Sequence, residues 1–155
     1  MSSGGRKLEA LEWAIKARFD AYVRSDAGDG VVRLAGGVVR LDSGAYSFPA
    51  TARPGAEGSF GGSVAYSAYH DALHLEIVDP AVVEGVDGVL LTIADPDDST
   101  GRAIMARLQR AGREEDGSER FGARLTDYGA AMFMFRYLPQ EHLEPVVLRL
   151  AESQV

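Results

Sequence analysis

Phe60-Gly61-Gly62-Ser63-Val64-Ala65-Tyr66, followed by Leu73-His74-Leu75-Glu76-Ile77, places its large apolar side chains at every second position. A period of two belongs to strands that turn one face to a core and the other to water. Asp71-Ala72 reads as the turn between the two runs, and Asp79-Pro80 closes the pair, because proline cannot donate to a sheet ladder.

The same texture extends in both directions. Upstream, Tyr46 to Phe48 is a strand stopped by Pro49, and residues 51 to 58 are a loop. Val31 to Leu34 and Val38 to Leu41 flank Gly36-Gly37 and read as a hairpin. Downstream, Val89 to Ile93 is a strand buried on both faces, and residues 95 to 101 form an exposed turn. Arg102 to Leu108 fits either a strand or a short helix. Residues 112 to 119 are a solvated loop, Phe121 to Leu125 a strand, and Val146 to Leu150 a last strand.

Two segments break the pattern. Leu8, Leu11, Ile15, Phe19 and Tyr22 recur at +3 or +4 and predict one apolar helix face. Lys7, Glu12, Lys16 and Asp20 fall off that face, and the helix should end between Val23 and Ser25, before the glycine-rich stretch at Asp26 to Gly30. Asp127 to Tyr137 predicts a short C-terminal helix with Gly129 as its weak point. The expectation is a mainly β fold, a mostly antiparallel β-sandwich or barrel with an N-terminal helix and a short C-terminal helix. It should form one domain over residues 6 to 151, behind a disordered tail at residues 1 to 5.

Composition agrees. Eighteen glycines in 155 residues favour a turn-rich fold, and 46% hydrophobic with 25% charged residues is an ordinary globular balance. The net charge of -7 argues against nucleic acid as a partner, since that surface must be basic. The absence of cysteine excludes disulfides, thiolate zinc sites, iron–sulfur clusters and covalent haem attachment. The first seven residues hold no apolar run, and nowhere does the sequence run through the roughly 18 apolar residues a membrane span needs. As given, the chain reads as cytoplasmic; the alternative is a secreted or cell-surface protein whose export signal was removed.

Four residue patterns in the sequence could carry chemistry. His70 and His74 share the +4 spacing of a zinc pair on a helix, but the alternation around them is that of a strand. Asp95, Asp97 and Asp98 suggest a calcium loop, yet glycine is missing at its sixth position and glutamate at its twelfth. No Gly-x-Ser-x-Gly occurs, and Ser99 and Ser118 are expected in exposed loops. Tyr22 on the first helix, His70 at a strand end and Tyr137 after Met132-Phe133-Met134-Phe135-Arg136 complete the set. On residue type alone these three read as core or rim side chains.

The order of motifs resembles the HtaA family of actinobacterial haem-binding domains. Leu11-Glu12-Trp13-Ala14-Ile15-Lys16, with Phe19 and Tyr22-Val23, is similar to the family's opening. Phe48-Pro49, then Phe60-x-Gly62-x-Val64-x-Tyr66 with His70, then Leu73-x-Leu75-x-Ile77-x-Asp79-Pro80 follow in the family's order. Leu125-Thr126-x-x-Gly129 with Phe133, Phe135 and Tyr137, and Leu143-Glu144-Pro145-Val146, resemble its C-terminal part. The chain departs from the pattern at Glu144, Gln140 and Asp71.

The resemblance implies that Tyr22 is the axial ligand of haem iron, that His70 hydrogen-bonds it, and that Tyr137 lines the pocket. Arg18 is a candidate for the propionates, one helical turn before Tyr22. Phe19, Phe60, Phe133 and Phe135 are candidate walls. The implied cofactor is haem b in the ferric state, held for uptake, transfer or storage. Other haem-transfer proteins are the implied partners, and a homodimer stacked on partly exposed haem fits the same picture. A haem-dependent peroxidase or haem-degrading enzyme, and a haem-free β-sandwich interaction module, are the alternatives.

Overall fold

The computed structural model describes residues 7–25, 29–51, 58–68, 73–86, 88–98 and 100–151. His70, the Asp71-Ala72 turn, Ser99, the predicted N-terminal tail and most of the loop at residues 51 to 58 lie outside them.

Among the described residues, eleven strands and two helices follow one another as β1 (Leu8–Trp13), α1 (Ala17–Arg24), β2 (Val31–Ala35), β3 (Val39–Arg40), β4 (Tyr46–Pro49), β5 (Ser63–Ala68), β6 (Leu73–Val78), β7 (Ala81–Gly85), β8 (Gly88–Ala94), β9 (Arg102–Arg113), β10 (Glu119–Leu125), α2 (Asp127–Met132) and β11 (His142–Leu150). An eight-stranded sheet runs β3-β4-β1-β11-β10-β9-β8-β7, and a three-stranded sheet runs β2-β5-β6. Every strand pairing is antiparallel. The mainly β expectation therefore holds, and the strand alternative for Arg102 to Leu108 is the one realised. The core between the layers is aromatic: Trp13, Tyr46, Phe48, Phe60, Tyr66, Phe121 and Phe133 are fully buried. Among the described residues no helix is long and apolar enough to cross a membrane.

The predicted first helix is strand in its N-terminal half. Residues Leu8–Trp13 lie between β4 and β11, with Leu11 opposite Phe48 and Leu148. Leu11, Trp13 and Ile15 are all buried, a period of two that the +3 and +4 spacing of the larger set conceals. Ile15 then takes a left-handed backbone (φ 68°), which ends the strand, and the helix starts only at Ala17.

The predicted hairpin around Gly36-Gly37 is instead a crossing between sheets. β2 pairs with β5 in the small sheet, whereas β3 pairs with β4 in the large one. The backbones meet so closely there that a Cβ on Gly36 (φ +69°) would lie 2.6 Å from the Gly62 Cα. Strand β7 was not expected after Asp79-Pro80. Asp79 adopts φ 49°, which redirects the chain from the end of the small sheet to the far edge of the large one.

Helix α2 is shorter than predicted. The Thr126 hydroxyl caps it by accepting from the Gly129 amide at 3.0 Å, as N-cap residues do. Met134 and Phe135, both left-handed (φ 54° and 56°), stop it. The Phe135 amide bonds back to the Ala130 carbonyl at 2.9 Å.

Candidate functional site

The face of α1 is set by its two ends. Before the helix, Lys16 is buried, and its Nζ donates to the His142 carbonyl at 2.8 Å and to Glu141 Oε2 at 3.2 Å. The Ala17 amide donates to Glu144 Oε2 at 3.1 Å. These bonds clamp the start of α1 to the start of β11. At the other end the Ser25 hydroxyl donates to the Tyr22 carbonyl at 2.6 Å.

Held this way, α1 turns Phe19, Asp20 and Val23 inward, while Tyr22 is half-buried at the border. Phe19 is the hub of an aromatic cluster. Its ring meets Tyr66 and Phe133 edge-on, each at 5.0 Å, and Tyr137 at 6.5 Å. Phe133 and Tyr137 meet at 5.4 Å, near the separation at which such pairs add stability beyond area burial. Lys16 Nζ lies 5.0 Å from the Tyr137 ring centre, and the Arg136 guanidinium 4.9 Å from that of Tyr22. Burial raises the Tyr137 hydroxyl above its ordinary pKa, opposed by the charges of Arg18 and Arg136 and helped by Glu141.

Of the predicted site residues the structure brings Phe19, Phe133 and Tyr137 into one ring cluster, with Arg18 and Tyr22 on the same helix as Phe19. Arg18 stands out in solvent, 3.9 Å from Glu141. Phe135 projects away from the core and is 62% exposed, next to exposed Met134 and Leu138. Phe60 is buried where its segment bridges Ala50, and it makes no ring contact with Phe19, Phe133 or Tyr137. Among the described residues no group of three or more histidine, aspartate or glutamate side chains is arranged to hold a metal ion. Two cavities lie elsewhere, one bordered by Leu8, Arg110 and Phe121, the other by Arg107, Gly122 and Arg124; neither touches Tyr22.

Asp20 and Lys16 were expected to face solvent and do not. Once the helix begins at Ala17, Asp20 belongs to its inward face and is only 5% exposed. Its carboxylate accepts from the Tyr46 hydroxyl, from the Tyr66 hydroxyl at 2.9 Å, and from Arg24 Nε at 2.7 Å. Arg24 Nη2 also donates to Tyr46 Oη at 2.8 Å. A buried carboxylate is tolerated only with such a set of donors. The sequence offers one signal for this arrangement, an aspartate set between Phe19 and Tyr22 on a short helix, with tyrosines at position 46 in β4 and position 66 in β5 to meet it.

This network carries a pH dependence. Burial, and then the negative charge of Asp20, pushes the Tyr66 hydroxyl far above the usual phenol range. Burial also raises Tyr46, with Asp20 adding to the rise and Arg24 opposing it. The folded state therefore holds these protons more tightly than the unfolded chain, whose tyrosines ionise near pH 10. The stabilisation is complete below that pH and is lost above it, by roughly 1.4 kcal/mol per pH unit for each tyrosine. Thermal melts between pH 8 and 11.5 should show Tm falling above about pH 10. The fall should be shallower in Tyr66→Phe; an identical slope in the variant would exclude Tyr66 as its source.

The sequence model of the HtaA family matches residues 9–149. The fold is similar to that of the C-terminal domain of HtaA from Corynebacterium glutamicum, with a TM-score of 0.69 at 20% identity over 92% of this chain and 95% of that one. The N-terminal domain of the same protein gives 0.69 at 19% identity, over 95% of this chain and 99% of that one. The heme-binding protein HtaB from the same organism gives 0.67 at 14% identity, over 91% of each chain. No functionally curated protein matches. The family match spans nearly the whole length, and the chain belongs to the HtaA family.

Proposed function

We propose that this domain binds ferric haem b for uptake, transfer or storage, with the Tyr22 phenolate as axial ligand and His70 as its hydrogen-bond partner. The observation that carries the proposal is the setting of Tyr22. It is a half-buried phenol at the border of α1, packed against the core one helical turn after Phe19 of the aromatic cluster and covered by the Arg136 guanidinium. A porphyrin needs this combination of apolar walls, one anionic oxygen donor and cations for its propionates. Arg136, over the Tyr22 ring, and Arg18, exposed on the same helix, are the candidate cations, and exposed Phe135 and Met134 supply further apolar surface beside Arg136. Family membership, and the heme-binding HtaB among proteins of the same fold, support the same reading.

A phenol ionises near pH 10 in water, so acting as a ligand at neutral pH requires roughly 4 kcal/mol of preference for the anion. Ferric haem, when bound, supplies most of that preference through its positive metal centre. The role of the chain is to hold the phenol ring in one orientation, exclude water from its inner side and meet the propionates. An anionic oxygen favours the oxidised metal, which suits capture and release more than oxygen carriage.

The test is titration of apoprotein with hemin, comparing wild type with Tyr22→Phe and His70→Ala. The wild type should show stoichiometric binding with a phenolate-to-iron charge-transfer band. Tyr22→Phe should lose the band and bind at least about 100-fold more weakly; His70→Ala should keep the band with about a 10- to 100-fold loss, the usual cost of removing a group that orients a ligand. Stoichiometric binding with an unchanged spectrum in Tyr22→Phe would remove Tyr22 as the ligand, and no binding by the wild type would remove the function.

A further inference from the structure

The outward face of the large sheet carries a row of two arginines and a histidine that the haem reading does not use. Arg107 of β9 sits directly opposite Arg124 of β10, and Arg124 sits directly opposite His142 of β11. Opposed residues on neighbouring strands stand about 4.5–5.5 Å apart, a distance at which like charges destabilise a sheet. All three side chains are exposed, and among the described residues neither arginine has a carboxylate partner. Arg24, Arg110 and Arg149, by contrast, are each paired with carboxylates. Two like charges thus stand in register on neighbouring strands with no carboxylate between them, in a chain of net charge -7.

The row borders a depression of about 280 Å³. Gly122 lies on its floor, opposite Gln109, and leaves open the place where a side chain would stand. Gln109 and Gln140 add amides to the rim. Two guanidinium forks beside an imidazole match the oxygens of a phosphate or carboxylate group in number and charge.

We propose that Arg107, Arg124 and His142 form a binding site for the oxyanion group of a small molecule, a phosphate monoester or a dicarboxylate, on the face of β9, β10 and β11. The bound anion relieves the repulsion that the strand register imposes. The site stands independently of haem binding.

The test uses the full chain and inorganic phosphate at constant ionic strength, followed through the backbone amide shifts of Gly122 and Gln109. Saturable shifts centred on those amides are expected. Arg107→Gln/Arg124→Gln and Gly122→Val should each weaken binding at least about tenfold, leaving the hemin titration as in wild type. In phosphate-free buffer the double arginine variant should melt no lower than wild type, because it removes a repulsive pair. A response to chloride equal to that to phosphate, or unchanged phosphate affinity in the double variant, would overturn the site. Binding to phosphatidylglycerol vesicles without any response to free phosphate would also overturn it, by assigning the face to a lipid surface.

Discussion

Gly129→Ala should lower the Tm by about 6–12 °C, the equivalent of roughly 3 kcal/mol in a domain of this size. By helix propensity alone the change should stabilise, since alanine exceeds glycine by about 1 kcal/mol in a helix interior. Packing reverses the sign. A Cβ at position 129 would lie 2.2 Å from the Met105 carbonyl oxygen and 2.8 Å from Leu125 Cδ2. The first of these is backbone inside β9 and cannot swing aside. The helix is also pinned there, because the Thr126 hydroxyl that caps it donates to the Ile104 and Met105 carbonyls at 2.6 and 3.0 Å. Alanine therefore forces α2 off the sheet, and with it Phe133, Arg136 and Tyr137. Hemin affinity should fall alongside Tm. Gly122→Ala is the control: its Cβ would meet only the Gln109 carbonyl at 3.9 Å, an ordinary contact, and Tm should stay within about 2 °C. A Gly129→Ala protein that melts with wild type would show that α2 does not press on β9 as described.

Asp20→Ala should cost a similar amount, about 3 kcal/mol, for a different reason. It leaves the buried Tyr66 hydroxyl and its Tyr46 neighbour without their acceptor, and it strips Arg24 of its carboxylate. The guanidinium is 40% exposed and can turn to water, so most of the cost falls on the two hydroxyls. Asp20→Asn should cost less, about 1–2 kcal/mol, since the amide oxygen still accepts a hydrogen bond. The loss also reaches the proposed site, because Asp20 fixes the rotation of α1 and Tyr22 lies two residues on. Chemical denaturation gives the stability, and hemin titration of the folded fraction gives the second readout. Equal stability of Asp20→Ala and wild type would mean the tyrosine hydroxyls do not depend on the carboxylate.

Legibility in the sequence followed the range of the forces involved. Val64 to Tyr66 and Leu73 to Ile77 were read correctly, because alternation is a local property that survives whatever the partners are; Phe60 to Gly62 is not part of that strand, since Gly62 is left-handed (φ +103°) and Phe60 forms an isolated bridge to Ala50. Leu8 to Trp13 was misread because its apolar spacing suits a helix and a strand alike. Its state is decided by hydrogen bonds to β4 and β11, up to 142 residues away in the chain (Leu8 opposite Leu150). Gly36-Gly37 looked like a turn, and is one, but which sheet receives the chain afterwards depends on how closely Gly62 approaches. At the candidate site, Phe19, Phe133 and Tyr137 were recognisable as large aromatics in ordered motifs. Lys16, Asp20 and Arg136 were not, since a charged residue is read as solvated until its partners are known.

That the chain is β-rich, lacks thiol chemistry and bears a tyrosine within a recognisable series of motifs could be read from its residues, because pattern, composition and motif order are carried along the chain. The tertiary structure decided which strands join which sheet, which charges go inside, and that Arg136 lies over Tyr22. Those outcomes depend on main-chain pairing and charge burial between segments far apart in sequence, and no local window contains both members of such a pair.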